Sequence, residues 1–186
     1  MKVLVIPEDQ TNDQYILKPV VERLFEELGR SARVSVLPEP RLRGAEHALD
    51  PSVVRSIVAD NRAMVDLFLL VVDRDCDRQK NGERLAARER EHPDVLVGCL
   101  AVEELECWLL AVQEGELPAA WAAIRADCDP KERYAEPFLQ ALESVGPGGG
   151  RKAAMRGLRG KWGRLLQLCP EVRSLQERIR GLLGGR

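Results

Sequence analysis

The stretch LFLLVVDRDCD, Leu67 to Asp77, constrains the fold more than any other part of the sequence. Its first six residues are all apolar, with no polar residue at alternate positions. A strand that faces water on one side alternates apolar and polar residues, whereas a short continuous apolar run is typical of a strand buried on both faces. The stretch therefore predicts a parallel sheet with helices covering both sides.

Strand and helix patterns alternate along the first 115 residues. Short β-branched runs indicate the strands, and apolar residues at intervals of three and four indicate the helices. The predicted strands are 2–6, 33–37, 67–72 and 94–102, and the predicted helices are about 13–28, a segment opening at Asp50 and Pro51, 79–92, and a segment starting near Glu103. This order predicts an α/β fold with a mostly parallel, four-stranded, doubly wound sheet.

Charge and pattern divide the chain into two predicted parts. Residues 1–115 form the α/β domain, and residues 116–186 form a helical, basic C-terminal extension packed on it. From Gly146 to Arg186 there are ten Lys and Arg residues against two acids, so this segment has a net charge of +8 and the remainder −10. Such a segment is either a solvated helical face or a surface that binds polyanions.

Composition excludes several classes of protein. Hydrophobic residues make up 45% of the chain and charged residues 31%, and no apolar run is long enough to cross a bilayer. The N-terminus lacks the apolar core of a signal peptide, so we expect a cytoplasmic location. The five cysteines are widely spaced and odd in number, which favours free thiols.

Acidic residues follow three of the predicted strands. Glu8 lies two residues past the first, Asp73 and Asp75 follow the third, and Glu103, Glu104 and Glu106 follow the fourth. Ligands of open α/β sheets bind outside the carboxyl ends of the strands, where these side chains are expected to meet. Clustered carboxylates repel unless a cation neutralises them, and oxygen ligands suit Mg²⁺ or Mn²⁺. The sequence thus predicts a metal site at this edge.

Simpler roles remain open for some of these acids. A single Asp after a strand, such as Asp77, is often a turn or helix N-cap residue. Any of the three glutamates at the start of the fourth helix can complement the helix dipole. Trp108, on the same helix, is expected to lie in the core.

Three features resemble the TOPRIM pattern of topoisomerases, primases and OLD-type nucleases. They are the acid after the first strand, the polar turn and helix that follow this acid, and the D-x-D of Asp73 and Asp75. Three later stretches are similar to a narrower group, the TOPRIM-like proteins of uncharacterised function from bacterial mobile-element and phage-defence neighbourhoods. These stretches are VEELECWLLA, DPKERY and LCPEVRSLQERI.

The resemblance implies roles for individual residues. Glu8 matches the first acid, a metal ligand or general base, and Asp73 and Asp75 match the D-x-D metal ligands and catalytic residues. Glu104 and Glu106 match the two acids before Trp108, as further metal ligands or orienting residues. The chain departs from the family pattern at the first turn, where Asp9 replaces a glycine and Asn12 or Asp13 stands where the second acid belongs.

These observations favour a Mg²⁺- or Mn²⁺-dependent phosphodiesterase of TOPRIM type that acts on nucleic acid, DNA or RNA, in phage defence. The predicted nucleic-acid-binding residues are Arg74, Lys152, Arg156 and Arg159. Two alternatives remain: a catalytically weak nucleic-acid-binding or regulatory partner of an ATPase, since the chain has no phosphate-binding P-loop of its own, and another acidic α/β site of PIN-like nuclease or receiver-like type.

Overall fold

Four β-strands form the centre of the molecule. The computed structural model describes residues 1–74, 76, 79–142 and 146–184. The strands are β1 (Lys2–Pro7), β2 (Arg33–Val36), β3 (Leu67–Asp73) and β4 (Leu96–Ala101). All pairs are parallel, in the order β2-β1-β3-β4, which confirms the α/β fold with a parallel four-stranded sheet.

Five helices connect or follow these strands: α1 (Gln10–Glu27), α2 (Ala45–Ala48), α3 (Pro51–Asn61), α4 (Lys80–Glu91) and α5 (Glu106–Ala111). Asp9 caps α1 by accepting the Thr11 N–H at 2.8 Å, and Asp50 caps α3 by accepting the Ser52 N–H at 2.8 Å. The cap sets the start of α1, so this helix begins three residues before the predicted position. The short helix α2 lies between β2 and α3, where the sequence predicts no helix.

The C-terminal half is helical, as the sequence predicts. Its α-helices are α6 (Trp121–Ile124), α7 (Glu136–Ala141), α8 (Arg151–Ala154), α9 (Leu158–Leu168) and α10 (Pro170–Gly184). A π-helical turn (Lys131–Ala135) precedes α7, and a 3-10 turn (Met155–Gly157) joins α8 to α9.

Each face of the sheet has its own hydrophobic core. Along β3, Leu67, Leu69 and Val71 point to one core, and Phe68, Leu70 and Val72 point to the other. The first core contains buried residues of α1, α5, α9 and α10, and the second contains residues of α2, α3 and α4. Both faces of β3 are thus covered, which explains its continuous apolar run.

A polar contact fixes the extension against α5. Trp108 is fully buried, and its indole N–H donates to Glu171 Oε1 at 2.8 Å. Arg125 donates to both carboxylate oxygens of Glu171, at 2.9 and 2.8 Å. The same glutamate therefore holds the tryptophan of α5 and an arginine that follows α6.

No helix in the described part of the chain is long and apolar enough to span a membrane.

The expectation of free thiols is wrong for two of the five cysteines. Cys76 and Cys128 form a disulfide with a Cα–Cα distance of 5.5 Å, although 52 positions separate them in the sequence. It joins the loop after β3 to the segment before the π-helical turn. Cys99, Cys107 and Cys169 are free and buried.

Candidate functional site

The candidate site lies at the carboxyl ends of β1 and β3. The chain runs from β1 to β2 on one side and returns to β3 on the other, so the strand order reverses between β1 and β3. In doubly wound sheets the crevice at such a switch point is where ligands bind. Glu8 directly follows β1, and Asp73 is the last residue of β3.

Glu8 and Asp73 meet at this crevice. Glu8 Oε2 accepts the backbone N–H of Asp73 at 3.1 Å, and Asp73 Oδ1 accepts the backbone N–H of Leu105 at 2.9 Å. The buried Asn81 donates to the carbonyl of Asp73 at 3.4 Å. The prediction that Glu8 and Asp73 share one edge is confirmed. Asp75 lies outside the described residues, so its predicted role stays a prediction.

The turn after β1 brings two further acids to the edge. The backbone N–H of Asp9 donates to Asp13 Oδ2 at 3.0 Å, while the Asp9 side chain caps α1. Burial raises the pKa of Asp13 to about 8, against the lowering effect of the Asp9 hydrogen bond. The negative charges of Glu106, Asp9 and Glu8 raise this pKa further. Asp13 therefore occupies the acidic edge, and the sequence indicated it only as one of two residues, with Asn12, that stand where the resemblance places a second acid.

The glutamate that follows β4 binds the residue after β3. Glu103 is fully buried and forms an ion pair with Arg74, whose side chain is 17% exposed. The other oxygen of Glu103 accepts the backbone N–H of Cys76 at 3.0 Å. Arg74, a predicted nucleic-acid-binding residue, is therefore part of an ion pair that joins the ends of β3 and β4.

Glu104 contacts the π-helical turn. Its Oε2 accepts the backbone N–H of Lys131 at 2.6 Å. Burial raises the pKa of Glu104 to about 7 in spite of this hydrogen bond, and the charge of Glu106 contributes. For the Lys131 ammonium, burial lowers the pKa, but the charges of Glu106 and Glu104 outweigh it and the pKa is raised. A lysine absent from the sequence prediction thus places a positive charge at this edge.

Glu106 has a buried arginine as its partner. Its Oε1 accepts hydrogen bonds from Arg151 Nε at 3.1 Å and Nη2 at 2.6 Å. The two side chains are only 4% and 6% exposed. Arg151 belongs to α8, so this pair connects the basic extension to the start of α5. No local sequence pattern marks this pair, because its members are 45 residues apart.

The other three predicted nucleic-acid-binding residues are exposed near α8 and α9. Lys152 and Arg156 line a groove between α1 and the α8 region. Arg159 forms an exposed ion pair with Glu26 of α1, at 3.1 Å. The structure thus brings Lys152 and Arg156 together and directs Arg159 to a different partner.

Within the described residues, no group of three or more His, Cys, Asp or Glu side chains is placed to hold a metal ion. Of the predicted ligands, the structure brings Glu8 and Asp73 into contact and gives Glu104 and Glu106 other partners. Comparison with known proteins found no matching family model, no similar curated protein and no similar solved structure.

Proposed function

We propose that the protein is a Mg²⁺- or Mn²⁺-dependent phosphodiesterase that acts on nucleic acid. The proposal rests on one observation: the hydrogen bond from the Asp73 amide to Glu8 Oε2 brings two acidic residues together at the switch point of the sheet. Acids after the first and third strands are also the pattern that resembles TOPRIM proteins.

The chemistry of these two residues fits a small divalent cation. Mg²⁺ is commonly bound by one or two carboxylates and completes its coordination with water and substrate phosphates. Glu8 and Asp73 would hold the ion, and oxygen ligands suit Mg²⁺ or Mn²⁺. When bound, such an ion polarises a phosphate and lowers the pKa of its water. We infer that Glu106 is structural, because Arg151 already neutralises it in a buried ion pair.

Neighbouring residues position Asp73 and add a positive charge to the edge. The Leu105 amide orients the Asp73 carboxylate, and Asn81 binds the carbonyl of the same residue. Lys131 adds a cation beside Glu104. A fixed positive charge at this edge would favour the binding of phosphate and stabilise charge that develops on it in the transition state.

The test compares the parent protein with Glu8→Gln and Asp73→Asn. Both substitutions remove a charge and keep a carbonyl oxygen, so the hydrogen bonds of the site can persist. The matched control is Asp60→Asn, which removes one exposed carboxylate from α3. Supercoiled, linear and single-stranded substrates are incubated with each protein and Mg²⁺ or Mn²⁺, with EDTA as a blank.

We expect the parent and Asp60→Asn to cleave at the same rate. The two site variants should cleave at least about 100-fold more slowly. Cleavage by Asp73→Asn at the parental rate would assign the activity to a contaminant and refute the proposal. A parent that binds Mn²⁺ and nucleic acid without cleavage would favour the regulatory or binding role that the sequence leaves open.

A further inference from the structure

A groove separates α1 from the α8 region on the face of the first hydrophobic core. Its volume is about 460 Å³, within the usual range for ligand sites. Eight residues line it: Gln14, Tyr15, Lys18, Pro19 and Glu22 from α1, and Lys152, Met155 and Arg156 from α8 and the 3-10 turn.

The groove has an excess of positive charge. Lys18, Lys152 and Arg156 are exposed, and Glu22 is the one acid among the described lining residues. Glu22 lies at the 4.0 Å limit of an ion pair with Lys18. Throughout the part of the chain that the structure describes, neither Lys152 nor Arg156 has a carboxylate within 4.0 Å. Their charges remain available to an anionic ligand.

Other cations of the basic extension are already paired. Arg151 binds Glu106, Arg159 binds Glu26, and Lys161 lies 3.4 Å from Glu114. The net charge of +8 in this segment therefore overstates the positive surface that it offers. The groove is where unpaired cations of the extension meet a cation of α1.

Tyr15 gives the groove an aromatic wall. Gly148 has a φ of +70°, and a Cβ at this position would lie 2.2 Å from Tyr15 Cδ2. The close approach of the glycine backbone holds the ring in place. Pro19 has no N–H, so the Tyr15 carbonyl loses its usual donor within the helix and can accept a hydrogen bond from a ligand. Aromatic rings beside a basic groove are typical of proteins that bind single strands, because unpaired bases stack on them.

The groove lies beside the acidic edge. Gln14 follows Asp13, and Lys152 follows Arg151, the partner of Glu106. From Gln14 to Glu22, α1 rises about 12 Å, which is long enough for the groove to contact more than one phosphate of a strand. A duplex keeps its bases stacked inside and cannot offer them to Tyr15, whereas a single strand can.

We propose that this groove binds single-stranded nucleic acid, with Lys18, Lys152 and Arg156 on the phosphates and Tyr15 stacked on a base. The inference builds on the proposed function, since it assigns the substrate of the same edge to the single-stranded class. The strand would then lead from the groove towards Glu8 and Asp73.

The test measures binding of a labelled 12-nucleotide strand and of the matching duplex by fluorescence anisotropy. It uses Asp73→Asn protein in EDTA, so that cleavage does not interfere. The charge variant is Lys18→Gln/Lys152→Gln/Arg156→Gln. Its matched control, Arg55→Gln/Arg62→Gln/Arg90→Gln, removes three exposed cations from α3, the turn after it and α4, on the other side of the sheet.

For the charge variant, we expect the slope of log affinity against log salt to fall in magnitude by about 2, since each single-strand phosphate contact contributes about 0.7. The control triple should keep the parental slope. Tyr15→Leu should weaken single-strand binding about tenfold with an unchanged slope, and Tyr15→Phe should bind like the parent because it keeps the ring. Thermal melts check that each variant is folded.

The inference fails if the charge variant and the control triple have equal slopes, if Tyr15→Phe loses as much affinity as Tyr15→Leu, or if the duplex binds more tightly than the single strand. The two proposals fail separately. If the groove variants cleave at the parental rate and bind the strand as tightly as the parent does, only the proposal about the groove is refuted. If the parent protein binds the strand tightly but cleaves no substrate, only the proposal of phosphodiesterase activity is refuted.

Discussion

The buried ion pair of Glu106 and Arg151 gives a quantitative prediction about stability. Both side chains are almost fully buried, and one carboxylate oxygen accepts two guanidinium hydrogen bonds. Removing one partner of such a pair leaves the other charge buried and uncompensated, which costs about 3–5 kcal/mol. We expect Arg151→Met to be at the upper end of this range, because the buried Glu106 would lose both guanidinium hydrogen bonds and keep only the nearby charge of Lys131.

Glu106→Gln should cost about 3 kcal/mol, at the lower end, because the amide oxygen can still accept a hydrogen bond from Arg151. The double variant Glu106→Gln/Arg151→Met buries no charge from the pair. Its free energy of unfolding should therefore fall by less than the sum of the single losses, with a coupling energy of about 3 kcal/mol.

Urea unfolding followed by circular dichroism at pH 7 in EDTA measures these values. The control cycle uses Lys161→Met and Glu114→Gln, an ion pair whose side chains are 33% and 82% exposed. Its coupling should stay below about 1 kcal/mol. An equally small coupling for Glu106 and Arg151 would refute the reasoning. The same variants test the metal ligands, since Mn²⁺ should still raise the melting temperature of Glu106→Gln if this residue is structural.

Three further predictions concern the disulfide, the acidic edge and the glycine turn. Cys128→Ser should lower the free energy of unfolding by about 4 kcal/mol, the loop-entropy value for cysteines 52 positions apart, and parent protein measured in dithiothreitol should match the variant. The raised pKa of Asp13, about 8, means that the folded state holds an extra proton between about pH 4 and 8. In this window, the free energy of unfolding of the parent in EDTA should thus decrease as the pH rises, and Asp13 should contribute up to about 1.4 kcal/mol per pH unit to this decrease. The Asp13→Asn variant should lack the contribution of Asp13. Gly148→Ala should destabilise more than Gly29→Ala in thermal melts, because both have positive φ but only a Cβ at position 148 meets the Tyr15 ring.

The parallel sheet and the meeting of Glu8 with Asp73 could be predicted from the sequence, because both depend on local patterns. The continuous apolar run of β3 reports burial on two faces, and parallel strands bring their carboxyl ends to one edge by geometry alone. The cap residues Asp9 and Asp50 likewise act within a few positions of their own helices.

The partners of the acids could not be predicted in the same way. Arg151 reaches Glu106 across 45 positions, and Cys76 reaches Cys128 across 52. Neither pair has a local spacing that marks it, and the two members are brought together only when the extension packs on the sheet. The sequence predicts that α5 starts near Glu103, but the helix begins three residues later, at Glu106. Glu103 lies before the helix and contacts Arg74 and Cys76 instead.

The three glutamates after β4 show how the fold tolerates so many acids at one edge. They have similar sequence contexts, yet each has a different partner: Arg74 for Glu103, the Lys131 turn for Glu104, and Arg151 for Glu106. Two of these partners come from the C-terminal half, which therefore balances charge at the edge as well as completing the first core. Because neighbouring carboxylates raise one another's pKa unless they are compensated, this internal neutralisation limits repulsion around Glu8 and Asp73. A cation bound by those two acids would then meet a site whose surrounding charges are already fixed in place, which is the condition for strong electrostatic stabilisation of a phosphate.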